Sequence, residues 1–202
     1  MIVVSARPHS AAIDAIEKRL AEMGKGDSMN TVLKKAINEV AGVGKKEIWK
    51  GVKRRYTLEG FTAGDVKKKS YSVRNPSATL TVTGPVLGVL QNYESVPNDS
   101  ENAAKLRIFK TGALKALQIH NSGSVYKAFV ARMSSGHVGI FQRVSGTRMK
   151  RKNGREAIKE IMSLSKSKAA EMVYEQNGLY SAMQEELVVR LHKHMNAVIG
   201  GA

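Results

Sequence analysis

Five histidines, no cysteine and a scatter of carboxylates are what this 202-residue sequence offers for chemistry. His137, in SSGHVGIFQR, follows a Ser-Ser-Gly turn and opens an apolar stretch. A general base needs a proton donor or an orienting carboxylate within reach. The segment from Val125 to Ser145 contains neither Asp nor Glu, so His137 is expected to be a hairpin residue. His192 and His194 are the only close pair, and two residues apart on a helix they point to different faces. GVGKKE (42–47) superficially resembles the end of a phosphate-binding loop. It lacks the first glycine and the Ser/Thr after lysine, and it falls inside a predicted helix. The absence of cysteine removes disulfides, thiolate nucleophiles and Cys-based zinc sites together. No catalytic residue, metal ligand or cofactor is predicted, and the chain reads as a non-enzyme.

Charge is the strongest signal. The 33 Lys+Arg against 17 Asp+Glu give a net +16 and a pI near 10.1. Two stretches hold +13 of it. Residues 45–74 carry ten cations against three acids, including Lys67, Lys68 and Lys69. Residues 143–159 carry seven against one: Arg143, Arg148, Lys150, Arg151, Lys152, Arg155 and Lys159 against Glu156. A solvated face usually mixes signs, so these clusters point to an anionic partner, either nucleic acid or acidic protein. Single-strand binders interleave aromatics for base stacking, and only Trp49, Tyr56, Phe61 and Tyr71 lie near the first cluster. No helix-turn-helix or similar groove reader is evident. Contact with phosphates that ignores base sequence is the form nucleic-acid binding would take.

The elements that must position these residues follow from pattern. Ile13, Ile16, Leu20 and Met23 recur at helical spacing up to Gly24 and Gly26. Asp27 or Ser28 can cap a longer helix through Val32, Leu33, Ile37, Val40 and Val43, continuing past Gly42 and Gly44 to Tyr56. Thr62 can cap a short helix, TAGDVKKK. YSVRNPSATLTVTGP reads as two short strands around Asn-Pro, and ESVPNDSENA as a loop. KLRIF, ALQIH, AFVAR and HVGIFQRV are candidate strands separated by Thr-Gly, Asn-Ser-Gly and Ser-Ser-Gly, which implies antiparallel hairpins. EAIKEIM returns to helical texture. A longer helical stretch from about Lys168 to Val198, broken near Asn177-Gly178, carries the stripe Met183, Leu187, Leu191, Met195 and Val198. The expected architecture is α+β: one domain over 1–202, with helices over 1–56, a mostly antiparallel β part over 57–145, and a basic linker with helices over 146–202. The apolar runs are too short for a signal peptide or a membrane span, and the absence of cysteine suits a reducing cytoplasm.

AFVARMSSGHVGIFQRV (128–144), followed by IKEIM (158–162), resembles the signature of the phage minor tail protein Z family. In that family a strand ending in Ala-Arg-Met leads through a Ser-Gly-His turn into an apolar strand with arginines. An Ile-Lys-Glu segment then opens the C-terminal helical part. YTLEGFTAGDVKKKSYSV and the preceding helix NTVLKKAINEVAGVGKKEIWKGVKRRY are also similar to the family's segments, so the likeness covers about 28–173. The chain departs from it at IMSLSKSKAAEM, which lacks the Gly-Pro-Ser turn often found there.

The resemblance implies a structural virion protein at the head-proximal end of a phage tail, finishing the tail or joining it to the head as a ring of copies. Its partners would be the tail tube, the tail terminator and the head–tail connector, with non-specific contact to genomic DNA as a further possibility. Arg132, Arg143 and Arg148, the tract Lys150, Arg151, Lys152 and Arg155, and Lys67 to Lys69 are the candidate interface or phosphate-contacting residues. Gly136, His137 and Gly139 are assigned to the hairpin, Gly136 for the turn and Gly139 for close approach of neighbouring backbone.

Overall fold

The structure, a computed structural model, describes residues 2–6, 10–24, 28–72, 77–121, 124–148, 156–176 and 178–200. In chain order, β1 (Ile2–Ala6) and α1 (Ser10–Glu22) precede the long helix α2 (Met29–Arg55). One 3-10 turn (Ala63–Asp65) leads into β2 (Val66–Lys69), followed by β3 (Ala78–Val82), β4 (Leu87–Gly88) and the one-turn α3 (Val89–Asn92). Short strands follow: β5 (Glu94–Val96), β6 (Lys105–Arg107), β7 (Lys115–Ala116), β8 (Gln118–Asn121), β9 (Ser124–Lys127) and β10 (Phe129–Arg132). The long β11 (Val138–Arg148), then β12 (Glu156–Glu160) and β13 (Met162–Ser163), complete the strands before α4 (Lys166–Gln176) and α5 (Leu179–Gly200). The architecture is α+β: N-terminal helices, several small antiparallel sheets and C-terminal helices. No helix among the described residues is long and apolar enough to cross a membrane.

The chain divides into two compact units. The first comprises Met1–Gly51, Thr62–Gly84 and Ser167–Ala202. Its helices bury Ile16 and Leu20 of α1, Val32, Ile37, Val40 and Ile48 of α2, and the α5 stripe Met183, Leu187, Leu191 and Met195. Two stripe residues depart from expectation: Met23 and Val43 are exposed, at the margins of their apolar faces. α2 survives its glycines because two of them are packing positions. A Cβ built on Gly44 would meet the end of Met183, and one on Gly51 would meet Val173 of α4. Seven residues apart, both glycines lie on one face of α2 and let α4 and α5 approach. Gly42, by contrast, has nothing within 4 Å of such a Cβ. This unit also holds a three-stranded antiparallel sheet in the order β1-β3-β2.

The second unit comprises Val52–Phe61 and Pro85–Lys166. It contains two three-stranded antiparallel sheets, β5-β6-β7 and β10-β11-β12, with the pairs β13-β4 and β8-β9. Tyr56, Leu58, Phe61, Val89, Tyr93, Leu106, Ala128, Ile140 and Phe141 are buried in it.

Several expectations are corrected. EAIKEIM is not helical: Glu156–Glu160 pairs with β11, and Met162–Ser163 pairs with β4. Seven residues are too few to stabilise a helix alone, and the free edge of β11 offers this backbone a ladder instead. Thr62 does begin a turn, its backbone N–H donating to the Asp65 carboxylate at 2.7 Å, but helix stops at Asp65 and VKKK is strand. IVVSA is the strand β1, and the reading of ESVPNDSENA as wholly loop missed β5. The Asn75-Pro76 turn lies outside the described residues.

Candidate functional site

β10 and β11 form a hairpin with a definite register. Phe129 pairs with Phe141, Val130 with Ile140, Ala131 with Gly139 and Arg132 with Val138. The turn closes through Met133 N–H to the His137 carbonyl at 2.7 Å and Gly136 N–H to the Met133 carbonyl at 2.9 Å. Gly136 sits at φ 85°, a conformation that costs glycine least. Ile140 and Phe141 are buried, while Phe129 and Val138 are half-buried, which fits their assignment to sheet packing.

The carboxylate that the local sequence lacks comes from the next strand. Phe141 of β11 stands opposite Glu160 of β12, and Glu160 Oε1 lies 2.9 Å from His137 Nε2. The imidazole also meets the Phe141 ring edge-on, at 6.2 Å between centroids. Two glycines make room for this carboxylate. A Cβ on Gly139 would lie 2.6 Å from Glu160 Oε1, and one on Gly88 would lie 2.7 Å from it. Gly139 therefore accommodates the Glu160 side chain. The adjoining cleft of about 100 Å³ is lined by Leu90, Gln91, Val138 and Met162 beside Gly88, His137 and Glu160. Chemically the pair is an imidazole oriented by a carboxylate. None of the cleft-lining residues carries a hydroxyl or amine nucleophile, and in this setting the pair fastens the hairpin turn to β12.

A ribbon formed by β8 and β9 stands beside this sheet, with Ile119 opposite Tyr126. Tyr126 donates to the Glu156 carboxylate at 3.1 Å, and Gln142 donates to the Tyr126 carbonyl at 2.9 Å. Between ribbon and sheet runs a groove of about 570 Å³ whose apolar lining includes Ile119, Val144, Ile161 and Met162. Ile119, Val125 and Met162 are exposed large apolar side chains. The loop after β5 is bonded to β9 and β10. Lys127 donates to the Glu101 carbonyl, and Val130 N–H to Asn98 Oδ1 at 2.7 Å. Within that loop Asp99 accepts from Asn102 and from the Glu101 backbone, bonds that hold its carboxyl below the ordinary range.

The basic candidates separate. Arg132 is exposed at the end of β10. Arg143 is exposed on β11 with its guanidinium carbon 5.8 Å from the Phe129 ring centroid, a cation–π distance. Arg148 ends β11 opposite Glu156, after a break in register that begins at Arg143. Lys150, Arg151, Lys152 and Arg155 lie outside the described residues. Lys67, Lys68 and Lys69 belong to the first unit, where all three are exposed on β2.

One charged cluster went unread in the sequence. His194, expected to be a solvated helix-end residue, is 13% exposed and places Nε2 3.0 Å from Glu39 Oε1 of α2. Arg190 reaches the same carboxylate at 3.2 Å and Glu186 at 2.7 Å. Burial works against the Glu39 charge, but His194, Lys193 and Arg190 outweigh it and hold that carboxyl below its usual value. The i, i+4 spacings Glu186–Arg190 and Arg190–His194 were visible in the sequence; Glu39, far away along the chain, was not. His192 is exposed, as expected. Among the described residues no group of three or more His, Cys, Asp or Glu could hold a metal ion.

No protein-family model matches the chain, and searches of curated proteins and of solved structures find no match to it.

Proposed function

We propose that this chain is a non-enzymatic structural protein of a tailed bacteriophage, a minor tail or tail-completion protein at the head-proximal end of the tail. It acts by assembling as a ring of copies that joins tail tube to neck. The observation that carries the reading is the motif at 128–144: the segment whose residues resemble the tail protein Z signature forms one registered hairpin, with Gly136 in its turn and His137 tied to Glu160. Surfaces suited to subunit contact lie in the same unit. The β8–β9 ribbon presents Ile119 and Val125, and the adjacent groove offers apolar walls. Exposed apolar side chains beside a concave surface are what a docking neighbour covers. Arg132 and Arg143 add exposed cations for acidic neighbours.

The test is quantitative mass spectrometry of purified particles and of isolated tails, normalised to the main tube protein. A few copies per particle, retained through a high-salt wash, are expected. Absence from the particles overturns the reading.

A further inference from the structure

The first unit carries a surface that assembly through the hairpin unit leaves unused. β2 and β3 pair antiparallel, with Lys67 opposite Thr81 and Lys69 opposite Thr79. Side chains alternate along a strand, so these four residues share one face of the sheet. The other face is the packed one: Val66, Ala78, Leu80 and Val82 are buried. Lys68 belongs by alternation to that packed side. It stays exposed because its ammonium reaches out to the Asn38 carbonyl of α2 at 3.5 Å. The outer face therefore presents two lysines whose backbone positions are about 6.8 Å apart along the strand, each with a threonine as its cross-strand neighbour.

Acid is sparse around this face: Asp65, immediately before β2, is the nearest carboxylate along the chain, and it accepts from the Thr62 N–H at 2.7 Å and hydroxyl at 3.0 Å. From Val66 to Tyr93 the sequence contains no Asp or Glu, and β1, on the far side of β3, contains none either. Among the described residues Lys67 and Lys69 have no carboxylate partner. Like charges this close repel one another, so the arrangement is stabilised by an anion. Lysines on an edge strand also discourage edge-to-edge pairing. That role requires cations alone and gives no part to the threonines that complete the face. Ammonium and hydroxyl together are the groups that bind phosphate oxygens, and a flat face without aromatic side chains reads no bases.

We infer that the outer face of the β1-β3-β2 sheet, through Lys67, Lys69, Thr79 and Thr81, binds the phosphate backbone of nucleic acid without regard to sequence. The inference goes beyond the assembly reading and does not depend on it, because it is tested on the free protein.

The experiment is fluorescence anisotropy of the full chain against a short mixed-sequence DNA duplex over a salt series. Each phosphate contact contributes about 0.9 to the slope of log affinity against log salt. Lys67→Gln/Lys69→Gln is expected to flatten that slope by about 1.8, and Lys67→Arg/Lys69→Arg to preserve it. Thr79→Val/Thr81→Val is expected to weaken binding at every salt concentration without changing the slope. An unchanged slope in the glutamine variant overturns the inference. If that variant keeps its slope and begins to self-associate by light scattering, the lysines are edge guards and the inference falls. It falls equally if the variant loses binding to poly-glutamate but keeps the duplex, since the face then serves an acidic protein. Neither failure bears on the count of copies per particle.

Discussion

Glycines do opposite work in the two units. In the helical unit, Gly44 and Gly51 of α2 make room for hydrocarbon, the side chains of Met183 and Val173. In the sheet unit, Gly88 and Gly139 make room for one carboxylate, that of Glu160. The neighbour decides what the glycine is worth. A β-branched valine in a packed core has few other rotamers and cannot step aside. A glutamate carboxylate ends a flexible chain and can swing into water. Gly51, set against the valine, therefore sets stability, whereas Gly44 faces the flexible end of Met183 and the strand glycines set where a polar group points.

Gly51→Ala is the sharpest way to break that contrast. Alanine is the better helix former, yet the clash with Val173 is expected to give a net destabilisation of about 1–3 kcal/mol by thermal or denaturant unfolding. Gly42→Ala on the same helix meets nothing within 4 Å, and is expected to stabilise by up to about 1 kcal/mol. Equal effects at the two positions would refute the packing account. Gly139→Ala should cost less than about 1 kcal/mol, because Glu160 leaves His137 rather than straining the sheet. In a Glu160→Ala background the same change should become neutral or stabilising, a coupling that a double-mutant cycle reads directly. The smallest effect is expected at Glu39. Its carboxyl is held below the usual value in the folded chain, so its contribution is present above the ordinary carboxylate pKa and is lost as pH falls through the folded value. The stability difference between the native chain and Glu39→Gln should shrink on acidification and with added salt; a difference independent of both would assign Glu39 a purely packing role.

What the sequence disclosed follows from the range of the interactions involved. α2, the break between α4 and α5, and the strands at KLRIF, AFVAR and HVGIFQRV rest on caps, periodicity and turn residues, all local signals. The stripe Met183, Leu187, Leu191 and Met195 was legible for the same reason and is buried. β1 was not, because IVVSA gains its identity only from pairing with Ala78–Val82 far along the chain. EAIKE was misread because a five-residue segment takes its conformation from the neighbouring strand. The same limit hid both histidine–glutamate pairs. His137 was judged against its own hairpin, where there is no acid, while Glu160 arrives from a different strand. His194 was judged as a helix end, while Glu39 comes from α2. At Gly139 the nearest neighbour is the Glu160 carboxylate, which arrives from β12 and leaves no local signal.

The division of the chain into units also orders events during synthesis. Most of the sheet unit is one continuous run, Pro85–Lys166, joined by a short earlier segment. The helical unit is drawn from three separated stretches, the last of them Ser167–Ala202. A chain emerging from the ribosome N-terminus first can close its hairpins while α1 and α2 still lack α5. Until α5 is released, the apolar face of α1 carrying Ile16 and Leu20 has nothing from α5 to cover it. A nascent chain that has made α1 but not yet α5 exposes that face, and docking of α5 on α1 closes it.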